Sequence, residues 1–526
     1  MNVSSLFVAL AALGHPRAAA NRPRLVLVIT VDQLRPDYLD RWKAQLTGGF
    51  SVLMAEGAVF SNAFQDHAVT ETAPGHASIL SGRWPAHTGI LRNDAGVGDS
   101  TAPLLETVGP GASPLRFRGT AFFDWLKVAD PRARALSVSR KDRGAILPIG
   151  RAKEAVFWYA NGLFTTSRYY ADTLPSWVRR FNALALPFKA VGTTWTLLLP
   201  DTAYKESDAE VYENGGTDYT FPHRLPPDSI RAAQAFTSVP LMDSVTLAFA
   251  VAGMDAMKLG KGDWTDVLSV SLSTTDAIGH AYGPDSREIH DQVLRLDRYL
   301  DWFLEQVFKR VGRDNVDIVV TADHGVTSFP ERSRLRGHPE ATRVSLDTLV
   351  RAENAALDQR TGGTAGDWLL FDTGMLFVRN RGRLVAGHVN MDSVLADFVQ
   401  RTKNVPGVAR VDRTADLAAA DTVADPVARR WLHQVGGVQD VALVVTLQPW
   451  SIWTPVPPTP PITTHGQPSD DDTHVPLIFW GKGFKRGAFA NRVDAVDIAP
   501  TLAQLLGLNA LSIVDGRVLS ECLEPR

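Results

Sequence analysis

The sequence predicts an α/β fold: a mostly parallel central sheet flanked by helices, with inserted cap regions. Three observations carry this. Four short apolar runs rich in β-branched residues read as strands buried on both faces. A long amphipathic helix lies between the second and third. Aromatic- and proline-rich stretches interrupt the pattern.

The elements follow in chain order. Residues 6–14, LFVALAALG, are apolar but fall far short of the roughly 20 residues a membrane span needs. Ala18-Ala19-Ala20 follow, then polar Asn21. This is the pattern of a signal peptide over 1–20, although no Lys or Arg precedes the apolar run. A periplasmic or secreted protein without a membrane span is expected. The first α/β core segment is expected over 21–145 and opens with the strand Leu25–Val31. A cap insertion is expected over 146–235, where FWYANGLFTTSRYY (157–170) and FPHRLPP (221–227) stand out. The second core segment, 236–334, holds the strands Asp266–Leu272 and Val316–Thr321. Between them, Ile289, Val293, Leu296, Leu300, Phe303, Leu304, Val307 and Val311 recur at helical spacing over about 287–311. Gly312 follows as a stop. A second insertion is expected over 335–440. The third core segment, 441–526, contains the stiff connector PVPPTPPITT (455–464), the strand Val475–Trp480 and a helix in DIAPTLAQLLGL (497–508), capped by Asp497 and closed by Gly507.

Composition excludes several classes. The formal net charge of -3 removes the main reason to expect nucleic-acid binding. A single cysteine, Cys522, makes no internal disulfide, Fe–S site or Cys-rich zinc module. Any metal must be held by Asp, Glu and His.

Three strand ends carry those residue types. The first strand runs into Asp32. The second leads to Asp276 and His280, in TTDAIGHAYGP. The third ends in Asp323-His324, in TADHG. Ligands of open α/β sheets bind beyond the carboxyl ends of the strands, so these groups should converge. A lone strand-end Asp is commonly a turn or helix cap. Capping does not account for three consecutive strand ends, and Asp and His suit zinc and similar divalent ions.

A second constellation is VTETAPGHASILSG (69–82). Pro74 and Gly75 read as the opening turn of a helix, with Thr72 near its N-cap. Thr72 is either an ordinary cap or a nucleophile. A helix N-terminus favours an alkoxide and a phosphate, and a neighbouring metal would lower the hydroxyl pKa further. Thr70 lies further from the helix start. A third is SVSRKDRGAI (137–146). If Val138–Arg143 is extended, Lys141 and Arg143 share a face and could clamp an anion. Alone, this is an ordinary solvated basic edge.

With these motifs the chain resembles the alkaline phosphatase superfamily, in its type I phosphodiesterase/nucleotide pyrophosphatase branch. Within it the likeness is to phosphate-irrepressible (PafA-like) bacterial alkaline phosphatases. The resemblance runs through VDQLRPDYL (31–39), TETAPGHASILSGRWPAHTGI (70–90), KDRGAI, TTD…GH, TADHG, THG (464–466), DTHVPLIFWG (472–481) and DIAPTLAQLLG (497–507). It implies an alkaline-phosphatase-like fold and two Zn²⁺ ions. One ion would be held by Asp32, Asp323, His324 and the nucleophile Thr72, the other by Asp276, His280 and His465. His465 is chosen over nearby His474 because the family's ligand precedes a glycine. Asn93 matches a phosphate-contacting asparagine, and Lys141 and Arg143 match the basic pair of the monoesterases. The expected reaction is hydrolysis of small-molecule phosphate monoesters through a phosphothreonine on Thr72. The related diesterases generally lack the basic pair, and a phosphodiesterase/nucleotide pyrophosphatase is the alternative. A non-catalytic binding protein on an inherited fold is disfavoured because every expected ligand position is chemically competent. The loop after Asn93, DAGVGDSTAPLLETVG, is small and polar where the subfamily would be aromatic. Nothing in the sequence bears directly on oligomeric state; the resemblance favours a monomer.

Overall fold

The structure is a computed structural model that describes residues 22–363, 366–454 and 462–525. The expected signal peptide and most of the Pro-rich connector lie outside the described residues. The main sheet contains β1 (Leu25–Val31), β2 (Ala58–Phe64), β3 (Ala135–Ser139), β4 (Ala155–Ala160), β5 (Leu163–Thr165), β6 (Asp266–Leu272) and β7 (Val316–Thr321). A second sheet follows, of β8 (Leu369–Asp372), β9 (Met375–Val378), β10 (Val408–Arg413) and β11 (Val441–Leu447). The chain then returns to the main sheet with β12 (His474–Trp480) and β13 (Gly487–Phe489). The main order is β13-β2-β12-β7-β1-β6-β3-β4-β5.

Every residue of β1, β6 and β7 is buried, as their unbroken apolar runs require. Alternation divides their side chains between two cores. Leu25, Leu27, Ile29 and Val31 join one with Ile289, Leu296 and Leu300. Val26 and Val28 join the other with Ala77, Ile498 and Leu502. Helices therefore cover both faces. The principal ones are α1 (Thr72–Ser81), α2 (Asp142–Ile146), α3 (Leu241–Met257), α4 (Thr274–Tyr282), α5 (Arg287–Val311) and, last in the chain, Ile498–Leu506. Ser286 caps α5 by accepting from the Ile289 amide at 3.1 Å. Gly312 leaves the helix with φ of 89°. Among the described residues no single helix is long and apolar enough to cross a membrane.

The structure departs from the sequence reading at several points. β12 runs antiparallel to both β7 and β2, so the sheet is mixed. Apolar run length reports burial and carries no information on direction. Residues 157–170, expected in a cap, largely build the sheet edge: β4 pairs parallel with β3, and β5 folds back on β4. Their rings pack inward, with Phe164 stacked on Phe249 at 4.0 Å. Val138–Arg143 is not extended. β3 stops at Ser139, Lys141 is the N-cap of α2, and Arg143 lies in its first turn. Asp497 does not cap the last helix with its side chain; it accepts from the amides of Asp494 and Arg517. The second lobe has its own core around Trp368, Leu376, Phe398, Leu443 and Val445. Its strand β11, Val441–Leu447, lies wholly beyond the expected boundary at residue 440.

Candidate active site

Sheet register assembles the first carboxylates. β1 pairs with β7 as Thr30↔Thr321 and with β6 as Val31↔Leu272. Two residues onward, Asp32 comes level with Asp323. Four residues beyond Leu272, Asp276 sits in the first turn of α4. All three carboxylates are buried. α1 enters this edge with Thr72 as its first residue, and no side chain caps it. The ordinary-cap reading of Thr72 therefore falls; its Oγ1 instead accepts from Lys141 Nζ at 3.0 Å. Gly75 makes the approach possible. A Cβ there would lie 2.2 Å from the Asp323 carbonyl oxygen, so any side chain would push the helix off the site.

Three histidines complete the cluster. His280 donates from Nδ1 to the Thr463 carbonyl at 2.8 Å, His465 to that of Thr70 at 2.6 Å, and His324 to that of Gly325 at 2.9 Å. Each ring thereby carries its proton on Nδ1 and turns Nε2 toward the carboxylates. This is how metal-ligating imidazoles are ordinarily oriented. His280 Nε2 lies 3.2 Å from Asp276 Oδ1 and 3.2 Å from His465 Nε2. Two Nε2 lone pairs so close repel unless a cation, proton or metal ion, lies against both. His324 Nε2 and Asp32 Oδ1 are 3.4 Å apart, and both are buried without a hydrogen bond. Ligand atoms of Asp32, Asp323 and His324, and of Asp276, His324 and His465, lie within 4.8 Å of one another in each group. The residues fit divalent metal ions.

The electrostatics agree. Burial, then the nearby Asp276 and Asp323, push the Asp32 carboxyl up. Burial opposes ionisation of Asp276 too, but Lys141 and His280 hold it well below the usual carboxylate range. Burial pushes His324 down to about 3, so the ring stands neutral in the cluster. Lys141 Nζ is 2.7 Å from both Asp32 Oδ2 and Asp276 Oδ2, the cation that holds this anionic cluster together.

The remaining expected residues separate. Asn93 Oδ1 accepts from the Ala73 amide in the first turn of α1 at 2.9 Å. Its NH₂ is then the free donor toward the cleft it lines. Arg143 is partly exposed beside Asp142, and its charge reaches Glu71. His474 is remote: its ring stacks on Phe64 at 4.8 Å and Nε2 reaches the Ser61 carbonyl.

Sequence reasoning missed three residues. Gln33, at φ of 66°, ties Asp323 to Asp276 by donating from its backbone to one and from Nε2 to the other. Gly279 makes room for it, since a Cβ there would lie 1.8 Å from Gln33 Oε1. Glu71 accepts from the Asn93 amide at 2.7 Å and the Thr373 hydroxyl at 2.9 Å. His76 lies beneath Thr72. Gln33 and Glu71 adjoin Asp32 and Thr72 in sequence, His76 lies one helical turn after Thr72, and all three fall within the motifs VDQLRPDYL and TETAPGHASILSG. The cleft over the cluster holds about 330 Å³ and is lined by Glu71, Asn93, His280 and His465, facing Phe371, Thr373 and Trp453. Among the described residues its far wall thus comes from the second lobe, and none of 146–235 lines it.

A mixed α/β sheet whose strand ends present a buried Asp–His cluster to a helix-borne threonine defines a class, the hydrolases of alkaline-phosphatase-like fold. The chain belongs to the type I phosphodiesterase/nucleotide pyrophosphatase family, which matches residues 26–446. It is 32% identical over 528 residues to alkaline phosphatase PhoV of Synechococcus elongatus, covering 96% of this chain and 93% of that one. It is 30% identical over 533 residues to alkaline phosphatase PafA of Elizabethkingia meningoseptica, covering 96% and 95%. The crystal structure of wild-type PafA superposes with a TM-score of 0.87 at 29% identity, over 96% of this chain and 99% of that chain.

Proposed function

We propose that this protein is a two-zinc alkaline phosphatase that hydrolyses small-molecule phosphate monoesters through a phosphothreonine on Thr72. The observation that carries the reading is the Lys141 ammonium 3.0 Å from the Thr72 hydroxyl, beside the Asp–His cluster. Asp32, Thr72, Asp323 and His324 would hold one ion, and Asp276, His280 and His465 the other. Bound there, the ions supply Lewis acidity toward phosphoryl oxygens and lower the pKa of the hydroxyl and of water.

The chain's own residues do the rest. Thr72 Oγ1 attacks phosphorus in line, and the bond from phosphorus to the leaving alcohol oxygen breaks. Water then attacks the phosphothreonine and releases inorganic phosphate. Two displacements give net retention at phosphorus. Lys141, Arg143 and the Asn93 amide match charge on the nonbridging oxygens. A monoester has three such oxygens and two negative charges, whereas a diester has two and one. The basic pair therefore favours monoesters. The reading includes export, supported by the apolar run 6–14 and the alanines behind it. N-terminal sequencing of the secreted product tests export.

The central test loads the mature chain with zinc and compares kcat/KM for an aryl phosphate monoester and its matching diester at alkaline pH. A strong monoester preference, reduced in Lys141→Ala/Arg143→Ala, is expected. A diester preference indifferent to those substitutions would move the protein to the phosphodiesterases.

A further inference from the structure

Three buried side chains with no role in the reaction above join the turn that carries Lys141 and Arg143 to the helix that carries Thr72. They are Ser139 at the end of β3, Ser271 in β6 and His76 in α1, all fully buried. The Lys141 amide donates to Ser139 Oγ at 3.0 Å. The Ser139 hydroxyl donates to Ser271 Oγ at 3.1 Å. Ser271 Oγ lies 2.9 Å from His76 Nε2. His76 Nδ1 donates to the Thr72 carbonyl at 2.9 Å and lies 3.0 Å from Asp323 Oδ2.

Chemistry sets both ends of this chain. A backbone amide only donates and a carbonyl only accepts. Ser139 Oγ therefore accepts at one end, and His76 carries a proton on Nδ1 at the other. Both ends lie on residues whose side chains also meet, Lys141 Nζ on Thr72 Oγ1. The backbones and side chains of Lys141 and Thr72 thus close one loop. α2 rests directly on the two hydroxyls: a Cβ on Gly144 would lie 2.6 Å from Ser139 Oγ and 2.7 Å from Ser271 Oγ. Ser137 adds a second tie from β3, donating to the Ala145 carbonyl at 2.6 Å.

We propose that Ser139, Ser271 and His76 are positioning residues that seat the Lys141–Arg143 turn against the nucleophile. On this view selection of monoesters over diesters depends on three buried side chains as well as on the two cations. The inference rests on the monoesterase reading. Removing one link leaves a buried donor or acceptor without a partner and frees the turn to shift. A sub-ångström displacement of a cation matters most where charge must be matched on three oxygens.

The test compares wild type, Ser271→Ala, Ser139→Ala and Lys141→Ala/Arg143→Ala, all zinc-loaded. It reads kcat/KM for the monoester and diester pair, inhibition by inorganic phosphate, and zinc content. In each serine variant the monoester-to-diester ratio should fall roughly tenfold, as loss of one buried hydrogen bond allows. Phosphate inhibition should weaken while zinc content holds. Nitrogen NMR of His76 in wild type should show the proton on Nδ1. Equal loss on both substrates, or an unchanged ratio in the serine variants while the double variant loses it, overturns the positioning role and leaves the monoesterase reading standing. An unchanged ratio in the double variant as well overturns both. Should Ser271→Ala fail to fold, Ser139→Ala, which cuts the same chain from the other strand, decides.

Discussion

The site has two walls built in different ways. On the sheet edge, adjacent parallel strands in fixed register deliver Asp32 and Asp323, and the first turn of α4 adds Asp276. Glycines at 75 and 279 let the backbone close to contact distance. Across the cleft, the second lobe has its own sheet and core. At the cleft it contributes polar contacts, Thr373 on Glu71 and Asp372 on Arg92, and behind the cleft Arg429 and Arg430 pair with Asp66. The first wall leaves its groups no freedom, because moving one ligand means shifting a buried strand. The second lines the cleft with Phe371, Thr373 and Trp453 while a buried apolar cluster of Ala68, Val69, Met375, Trp431 and Val444 anchors it to the main body. On the proposed function, the first wall would carry the reaction chemistry and the second would meet the leaving group.

The comparison can be broken at graded points. The largest effect is expected from Thr72→Ala, which should lower monoester turnover by about 10⁴-fold or more, with zinc largely retained by the other ligands. Single-turnover kinetics with metal analysis check this. Next, Gly75→Ala places a methyl 2.2 Å from the Asp323 carbonyl. It should cost about 1–3 kcal/mol of stability and reduce activity with it. Gly382→Ala in the lobe, inside a helix and with open space around its Cβ, should leave activity unchanged and raise the denaturation midpoint slightly. Equal effects at the two glycines would erase the distinction between the walls. Smaller again, Asp372→Asn releases Arg92 from a partly exposed pair and should change kcat/KM for bulky leaving groups by about threefold to tenfold. A small phosphate ester should respond less.

A last probe lies outside both walls. Burial, with Glu288, Glu210 and Asp208 nearby and only Arg332 opposing, pushes the Glu213 carboxyl up to about 9. His223 pairs with Glu288 on the same face. A raised folded-state pKa contributes stability that is complete below the unfolded value and is lost as pH rises toward the folded one. Glu213 should therefore weaken the fold progressively from about pH 4.5 to about pH 9. Glu213→Gln should melt higher than wild type by a margin that grows across that range and vanishes at its acid end. Thermal melts across the range check this, and a constant offset would contradict it.

Much of the site is legible in the sequence because its residues stand at the ends of continuous apolar runs. Asp32, Asp276, His280, Asp323 and His324 follow strands whose burial on both faces is written in their composition. His465 and Asn93 emerge only through family resemblance, since both sit in loops without periodicity. The basic pair is visible, but its geometry is not. Extension over 138–143 would set both cations on one face, whereas Ser139 ends the strand and Lys141 is the N-cap of a helix. The aromatic segment reads as a cap because rings near a site suggest substrate contact. Phe249, distant in sequence, draws them into the core instead.

The sequence by itself determined the α/β class, the three strands that carry the carboxylates, the helix between them and the chemical type of the ligands. Those follow from local patterns of burial and from residue chemistry, which need no knowledge of partners. Tertiary structure alone decided the direction of β12, which wall closes the cleft, and the ring tautomers that turn Nε2 of His280, His324 and His465 toward the carboxylates. It also decided the contact of Lys141 with Thr72. Each of these depends on groups far apart in the chain, and hydrogen-bond direction and close approach exist only once the fold has brought them together.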